Sequence, residues 1–443
     1  MIKLGVITLG CPKNTADTES LLSKLTDGTS FVNIDDAEIV LLNTCAFLKT
    51  ARDEVFEKLK NLKSKKVILL GCMAGLLKED EFKKYPQLFA IVSGIHYPNI
   101  AKIISSVAEG KKIYAVTPEP LKFVEMDGKL TITPLSYAYI KIAEGCDNAC
   151  SFCLIPSLKG KYRSRKFEDV IKEAEKLIKS GVKEIILVAQ DSGYYGMDLY
   201  GKKRLADLLT KISAIKGDFW VRVLYIYPER IDDELIKTIA ENPKICKYFD
   251  TPLQHGDTDI LKAMYRPFDI EKTIQKIKKI RTAIPNAAFR TSLIAGFPGE
   301  TEKAFNNLLK FIEEIRFDNV GVFEYSREEG TKAYDLKNQV PAKIKKARRA
   351  KAMILQQKIS YAINKKSVGS TQRVLIERYD GNKKIYFGRS MRFAPEIDGQ
   401  VIITSKSPLK LNQFYDVIIE KAEPYDLIGE IYENQPKTSA AAG

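Results

Sequence analysis

The stretch Glu144–Pro156 reads EGCDNACSFCLIP and sets three of the chain's seven cysteines, Cys146, Cys150 and Cys153, within eight residues. The 443-residue chain has only two histidines, His96 and His255, and no fourth cysteine near this knot. A structural zinc site wants four closed ligands, commonly in two pairs, so the knot is one ligand short. Thiolates also hold cubane iron-sulfur clusters of four irons. Three of them leave one iron open to a small molecule.

The knot follows an apolar run, YAYIKIA, the first of six: EIILVAQ, FWVRVLYI, KYFDTPL, AFRTSLIAG and NVGVFEYS come after it. Amphipathic stretches such as FEDVIKEAEKLIKSG and ETEKAFNNLLKFIEEI separate them, which is the rhythm of βα units. Six strands fall short of the eight that close a complete barrel. The expectation is an open, partial (β/α)6 TIM-like barrel over 137–367, ending in a long charged helix at roughly Pro341–Lys366 and carrying its site at the strands' carboxyl ends.

On the amino-terminal side, over 1–115, three runs KLGVITLG, AEIVLLNT and KVILLG alternate with the helix-like TADTESLLSKL and TARDEVFEKLKNLK. They read as an α/β domain with a parallel sheet. Each run ends at a cysteine: Cys11, Cys45 and Cys72. The carboxyl ends of parallel strands share one edge, where ligands bind, so these three are expected to converge. Residues 116–136, with Pro118, Pro120, Gly128 and Pro134, read as a linker. After the long helix, TQRVLIERY, KIYFGRS, QVIITS, FYDVIIEKA and LIGEIYE predict a small antiparallel β barrel over 368–433. The tail 434–443 is small and polar.

The formal charge of +15 points to an anionic partner such as RNA or a ribonucleoprotein. The excess does not lie in the last module: Val368–Glu433 carries nine Lys and Arg against ten Asp and Glu. No run approaches the roughly 20 apolar residues that cross a bilayer, and MIKLGVITLGCPKN is too short in apolar residues to serve as a signal peptide. A cytoplasmic chain is expected, with no membrane partner and with cysteines that bind metal rather than pair. The long helix is expected to pack on the barrel and leave a monomer.

The spacing CxxxCxxC, with Phe152 directly before the third cysteine and a βα barrel around it, resembles the radical S-adenosylmethionine superfamily. The resemblance implies a 4Fe-4S cluster on Cys146, Cys150 and Cys153, whose open iron binds S-adenosylmethionine and cleaves it to a 5'-deoxyadenosyl radical. The order of modules over about 1–433 is similar to that of the methylthiotransferases, whose β module is called TRAM. That likeness implies a second, auxiliary 4Fe-4S cluster on Cys11, Cys45 and Cys72, where sulfur and a methylthio group are assembled. GCPKNTADTES, NTCAFL, CSFCLIPSLKGKYRSR and RFAPEIDG resemble the branch that modifies the β-carbon of an aspartate in ribosomal protein uS12. The branch that modifies a tRNA adenosine has Gln or Asn where Pro12 stands, and Tyr-Thr-Arg-Gly where Ser157–Gly160 stands. By the resemblance the partners are uS12 or the small ribosomal subunit and a reductase or flavodoxin-like electron donor.

Strand periodicity adds further candidates. Arg290 shares a face of FRTSLIAG with Ser292, opposite Phe289, Leu293 and Ala295, and should point into the barrel. Arg222 and Gln190 are expected to do likewise, and with Phe152 and Gly296 of the turn GFPGE they form the candidate cofactor-binding set. An arginine there binds a carboxylate or sits in a buried ion pair. His255 reads as a site-lining or a core histidine, and Cys246 as a core residue. Two rival readings remain: a tRNA adenosine methylthiotransferase, and an iron-sulfur RNA-binding factor without catalysis.

Overall fold

The computed structural model describes residues 1–25, 28–117, 123–125, 128–130, 132–266 and 268–432. Pro118 and Pro120 of the expected linker, Glu433 and the tail 434–443 lie outside these residues. Six parallel strands make the first sheet: β1 (Ile2–Thr8), β2 (Thr29–Phe31), β3 (Ile39–Thr44), β4 (Lys66–Gly71), β5 (Leu88–Val92) and β6 (Ile113–Ala115). Their order is β2-β1-β3-β4-β5-β6. The three runs that end in cysteine are therefore β1, β3 and β4, side by side. β3 is buried along its whole length, as a strand covered on both faces must be; one face packs through Val40 and Leu42, the other through Ile39 and Leu41.

The second sheet starts with β7 (Ala138–Lys141). A two-residue pair, β8 (Ala143–Glu144) with antiparallel β9 (Arg163–Ser164), pinches the base of the cysteine loop. Then follow β10 (Glu184–Val188), β11 (Trp220–Val223), β12 (Tyr248–Asp250), β13 (Ala288–Ala295) and β14 (Asn319–Glu324). All neighbours in the succession β7-β10-β11-β12-β13-β14 are parallel, with β11 and β12 joined through the single bridge Val221–Ile245. This is the open six-stranded barrel. Alternation sorts its side chains: Ile140, Leu187, Val221, Phe289 and Leu293 meet the outer helices, while Tyr139, Ile186, Trp220 and Tyr248 face inward. The helix Ala342–Lys365 packs against β14 and the preceding helix Glu302–Ile315.

Five strands close the last module: β15 (Thr371–Asp380), β16 (Ile385–Arg389), β17 (Val401–Thr404), β18 (Phe414–Ala422) and β19 (Leu427–Ile431), in the order β15-β16-β17-β19-β18. The pairing is antiparallel except between β17 and β19, which run parallel. This barrel sits against the inner face of the open one. Leu375 and Ala394 join the inward cluster, Trp220 and Phe414 stack with centroids 4.6 Å apart, and the Tyr248 hydroxyl donates to Asp398 at 2.5 Å. The first domain covers the opposite end. Leu154 and Leu158 of the cysteine loop pack with Met73 and Ala74, and Glu328 accepts from the Lys49 amide at 2.8 Å and from Arg52 at 2.5 Å. No helix among the described residues is long and apolar enough to cross a membrane.

Candidate active site at the barrel mouth

The loop between β8 and β9 is held shut by its own backbone. Gly145 has φ +80°, and a Cβ there would lie 2.0 Å from the Lys161 carbonyl oxygen, so only glycine fits. The Cys146 amide donates to Gly160 O at 3.2 Å, Tyr162 N–H donates to Asp147 Oδ1 at 3.0 Å, and Ser151 is tied to Ala263 O at 2.7 Å. Each thiol of the knot has a neighbour of its own. Asn148 Nδ2 lies 3.4 Å from Cys146 Sγ and 3.1 Å from Asp191 Oδ2; Tyr227 Oη lies 2.9 Å from Cys150 Sγ; the Ile155 amide donates to Cys153 Sγ at 3.4 Å. Arg266 stacks over Tyr227, 4.0 Å from ring centroid to guanidinium carbon, and its charge acts on Cys150 and Cys153.

The other trio is assembled by sheet register. Thr44 pairs with Gly71 across β3 and β4, and Thr8 with Asn43 across β1 and β3. Cys45 and Cys72 therefore leave adjacent strands at the same level, with Cys11 just beyond the end of β1; neighbouring strands stand about 4.8 Å apart. Gly10, at φ +101°, lets the chain approach so closely that a Cβ would sit 2.6 Å from Cys45 Cβ. Lys13 feels the charge of all three of these cysteines and of Tyr225, over whose ring its Nζ stands at 4.4 Å.

Tyr225 and Tyr227 connect the two groups. Both lie in the segment that leaves β11 at its carboxyl end. Tyr225 holds a positive φ of 62°, its amide donates to Asp250 Oδ2 at 3.0 Å, and its ring meets Lys13, two residues after Cys11 of one trio. Two residues on, Tyr227 meets Cys150 of the second. The two trios thus flank one short segment at the mouth of the barrel.

All seven cysteines are free thiols. Burial pushes Cys146 up to about 11, and Cys72 and Cys153 up to about 12; it raises Cys45 as well. Thiols so placed ionise only beside added positive charge, which bound iron supplies. Among the described residues no three His, Cys, Asp or Glu side chains close around a single ion. A cubane binds each thiolate to a different iron, so its ligands stand further apart. Buried polar atoms without partners, Gln190 Oε1, Asp191 Oδ1, Thr251 Oγ1 and Arg266 Nε, lie at or beside the same strand ends. They suit a ligand with amino, carboxylate and hydroxyl groups, and the residues fit cluster and cofactor.

The candidates drawn from periodicity divide. Gln190 follows β10 with its Oε1 unpaired, and Phe152, half-buried, packs against the barrel core. Arg290 points inward as expected, with Asp250 at 3.0 Å and Asp398 at 3.5 Å. Arg222 also points inward, yet it is no cofactor ligand. Its guanidinium pairs with Glu184 at 2.6 Å and donates to Met391 O and Phe393 O, both at 3.0 Å, so it fastens the second barrel to the first. Gly296 is likewise corrected: its amide donates to Glu300 Oε2 at 2.8 Å, and the room left by its missing Cβ is taken by Lys345, 2.4 Å away. It seats the long helix. His255 is fully buried, with Nε2 at 3.1 Å from Glu300 and Nδ1 accepting the Asp257 amide, a core role. Cys246 is buried 3.9 Å from Glu184. Sequence reasoning missed Tyr225, Tyr227, Arg266 and Lys13. Only Lys13, two residues after Cys11, carried a local signal.

Family models match three segments: the Radical SAM superfamily over 140–312, a TRAM domain over 368–431 and Uncharacterized protein family UPF0004 over 3–94. The fold compares with the radical S-adenosylmethionine methyltransferase TsrM from Kitasatospora setae, at TM-score 0.54 and 13% identity, covering 84% of this chain and 80% of that one. Barrel, loop and matched segments define a radical S-adenosylmethionine enzyme with an added amino-terminal α/β domain and a TRAM module. The chain is 43% identical over 442 residues to ribosomal protein uS12 methylthiotransferase RimO of Desulforamulus reducens, covering 97% of this chain and 100% of that protein. It is 44% identical over 438 residues to the protein of the same name from Thermoanaerobacter sp. (strain X514), with the same coverage. The chain belongs to the family of ribosomal protein uS12 methylthiotransferases.

Proposed function

We propose that this enzyme places a methylthio group on the β-carbon of an aspartate in ribosomal protein uS12, using two 4Fe-4S clusters and S-adenosylmethionine. Cys146, Cys150 and Cys153 would hold one cluster, and Cys11, Cys45 and Cys72 the other. The observation that carries the reading is the meeting of both trios at Tyr225 and Tyr227. When bound, the groups supply one-electron cleavage of S-adenosylmethionine and a sulfur source.

The chain's own residues do the rest. Gln190 and Asp191, with unpartnered buried oxygens, and Phe152 would line the place of S-adenosylmethionine near Cys146, Cys150 and Cys153. Tyr227 and Asn148 orient its thiolates. The first domain, seated on Leu154 and Leu158, covers the mouth and excludes water from a reactive site. The target carbon has no readily removed proton, so acid–base chemistry alone serves poorly. The core positions of His255 and the surface position of His96, beside Thr117, agree with a mechanism that uses no histidine. The electrons come from a reductase or flavodoxin-like partner.

Anaerobic reconstitution with iron and sulfide tests this. The chain should bind about eight irons, falling to about four when either trio is replaced by alanine. With S-adenosylmethionine and a reductant, a uS12 loop peptide should gain methylthio mass at one aspartate, and tRNA should not. Modification of tRNA without the peptide would overturn the proposal.

A further inference from the structure

Lys13 differs from the other cations at the mouth, of which Arg266 lacks a carboxylate but donates to Pro252 O. Lys141 pairs with Asp17 and Glu144, Lys159 with Glu144 at 3.0 Å, and Arg290 with Asp250 and Asp398. Among the described residues the Lys13 side chain has no hydrogen-bond acceptor and no carboxylate within ion-pairing distance. Its neighbours are the Tyr225 ring, at 4.4 Å, and the thiols of Cys11, Cys45 and Cys72. Helix Pro12–Leu22 holds it there, because its first turn is fixed by the Asn14 side chain donating to Leu9 O and Thr44 O at 2.8 and 2.9 Å.

Lys13 is half-buried, and an ammonium with no carboxylate of its own is free to pair with one that arrives. We infer that Lys13 binds the side-chain carboxylate of the substrate aspartate and so selects an acidic residue, a step that rests on the function proposed above. The carbon to be modified is bonded directly to that carboxylate. An ion pair with Lys13 would therefore hold it beside the three cysteines of the auxiliary site and above Tyr225. Arg290 is less suited, since Asp250 and Asp398 already hold its guanidinium.

The alternative role, neutralising the negative charge of the auxiliary site, makes a different prediction, and a double-substitution cycle separates the two. The dissociation constants of a synthetic uS12 loop peptide and its Asp→Asn counterpart would be measured on reconstituted parent, Lys13→Met and Lys13→Arg proteins. The parent should bind the aspartate peptide about tenfold or more tightly than the asparagine peptide. Lys13→Met should reduce that ratio to about twofold or less, with Lys13→Arg intermediate and the cluster EPR spectra unchanged. A parental ratio preserved in Lys13→Met would overturn the inference alone. A parent that binds neither peptide would overturn the functional reading and the inference with it.

Discussion

Gly145 shows how narrowly the cysteine loop is drawn. The atoms a Cβ would strike are the backbone carbonyls of Lys161 and Gly160, which cannot swing aside as a side-chain end can. Gly145→Ala should therefore open the loop between β8 and β9. The expected result is a lower melting temperature and loss of about half the bound iron, since the Cys146 site fails while the Cys11 site stands; metal analysis beside thermal melting checks it. The six cysteines were legible in the sequence because thiolates at such spacing have few uses. The arginines were legible only in direction. Alternation placed Arg222 and Arg290 inside the barrel, but period alone says which way a side chain points and not what waits for it. Glu184 and two carbonyls from the TRAM module wait for Arg222. Nothing in MYRPF marked Arg266, since its approach to Cys150 depends on how a distant helix ends.

Strands and helices were easier to read than their partners. The runs that became β1, β3, β4 and most of the barrel strands are apolar, flanked by turns and long enough to register; β12, three residues, was reached only through the longer run KYFDTPL around it. β2 and β6 are three residues each, too short for any period. The sequence also counted too few strands to close a barrel, and the structure shows what covers the inner face of the open one: a module that begins after residue 367 packs Leu375, Ala394 and Phe414 onto Trp220 and Tyr248. At the centre of that contact Glu184 is shared by Arg222 and Arg389, at 2.6 and 2.7 Å. Burial pushes its carboxyl up, but the two guanidinium groups outweigh that and hold it below the usual carboxylate range. A depressed folded value means that the group contributes stability above its unfolded pKa of about 4.3 and loses it as pH falls through the folded value. Glu184→Gln should cost roughly 3–5 kcal/mol near neutral pH by leaving two buried cations short of an anion. The deficit against the parent should shrink in melts taken at progressively lower pH below about 4. A deficit that stays constant across that range would show that the ion pair is not its source.

Across the molecule, three modules meet around one opening. The TRAM barrel fills the inside of the six-stranded barrel, and the amino-terminal domain lies over its mouth. That seating carries Cys72 into the electrostatic neighbourhood of Glu144 and Lys159, next to the radical loop, and Lys13 onto Tyr225. The order of modules was legible from the sequence; their docking was not, since it depends on surfaces such as Leu154, Leu158 and Ala16 that look like any other buried apolar residues. The two proposed clusters would face each other there. EPR of the anaerobically reconstituted, fully reduced enzyme tests it most directly. Spectra broadened and split by magnetic coupling between two clusters, reverting to a simple single-cluster signal when Cys11, Cys45 and Cys72 or Cys146, Cys150 and Cys153 are replaced, are the predicted result. Two uncoupled signals that merely add, or a single cluster in the parent, would contradict it.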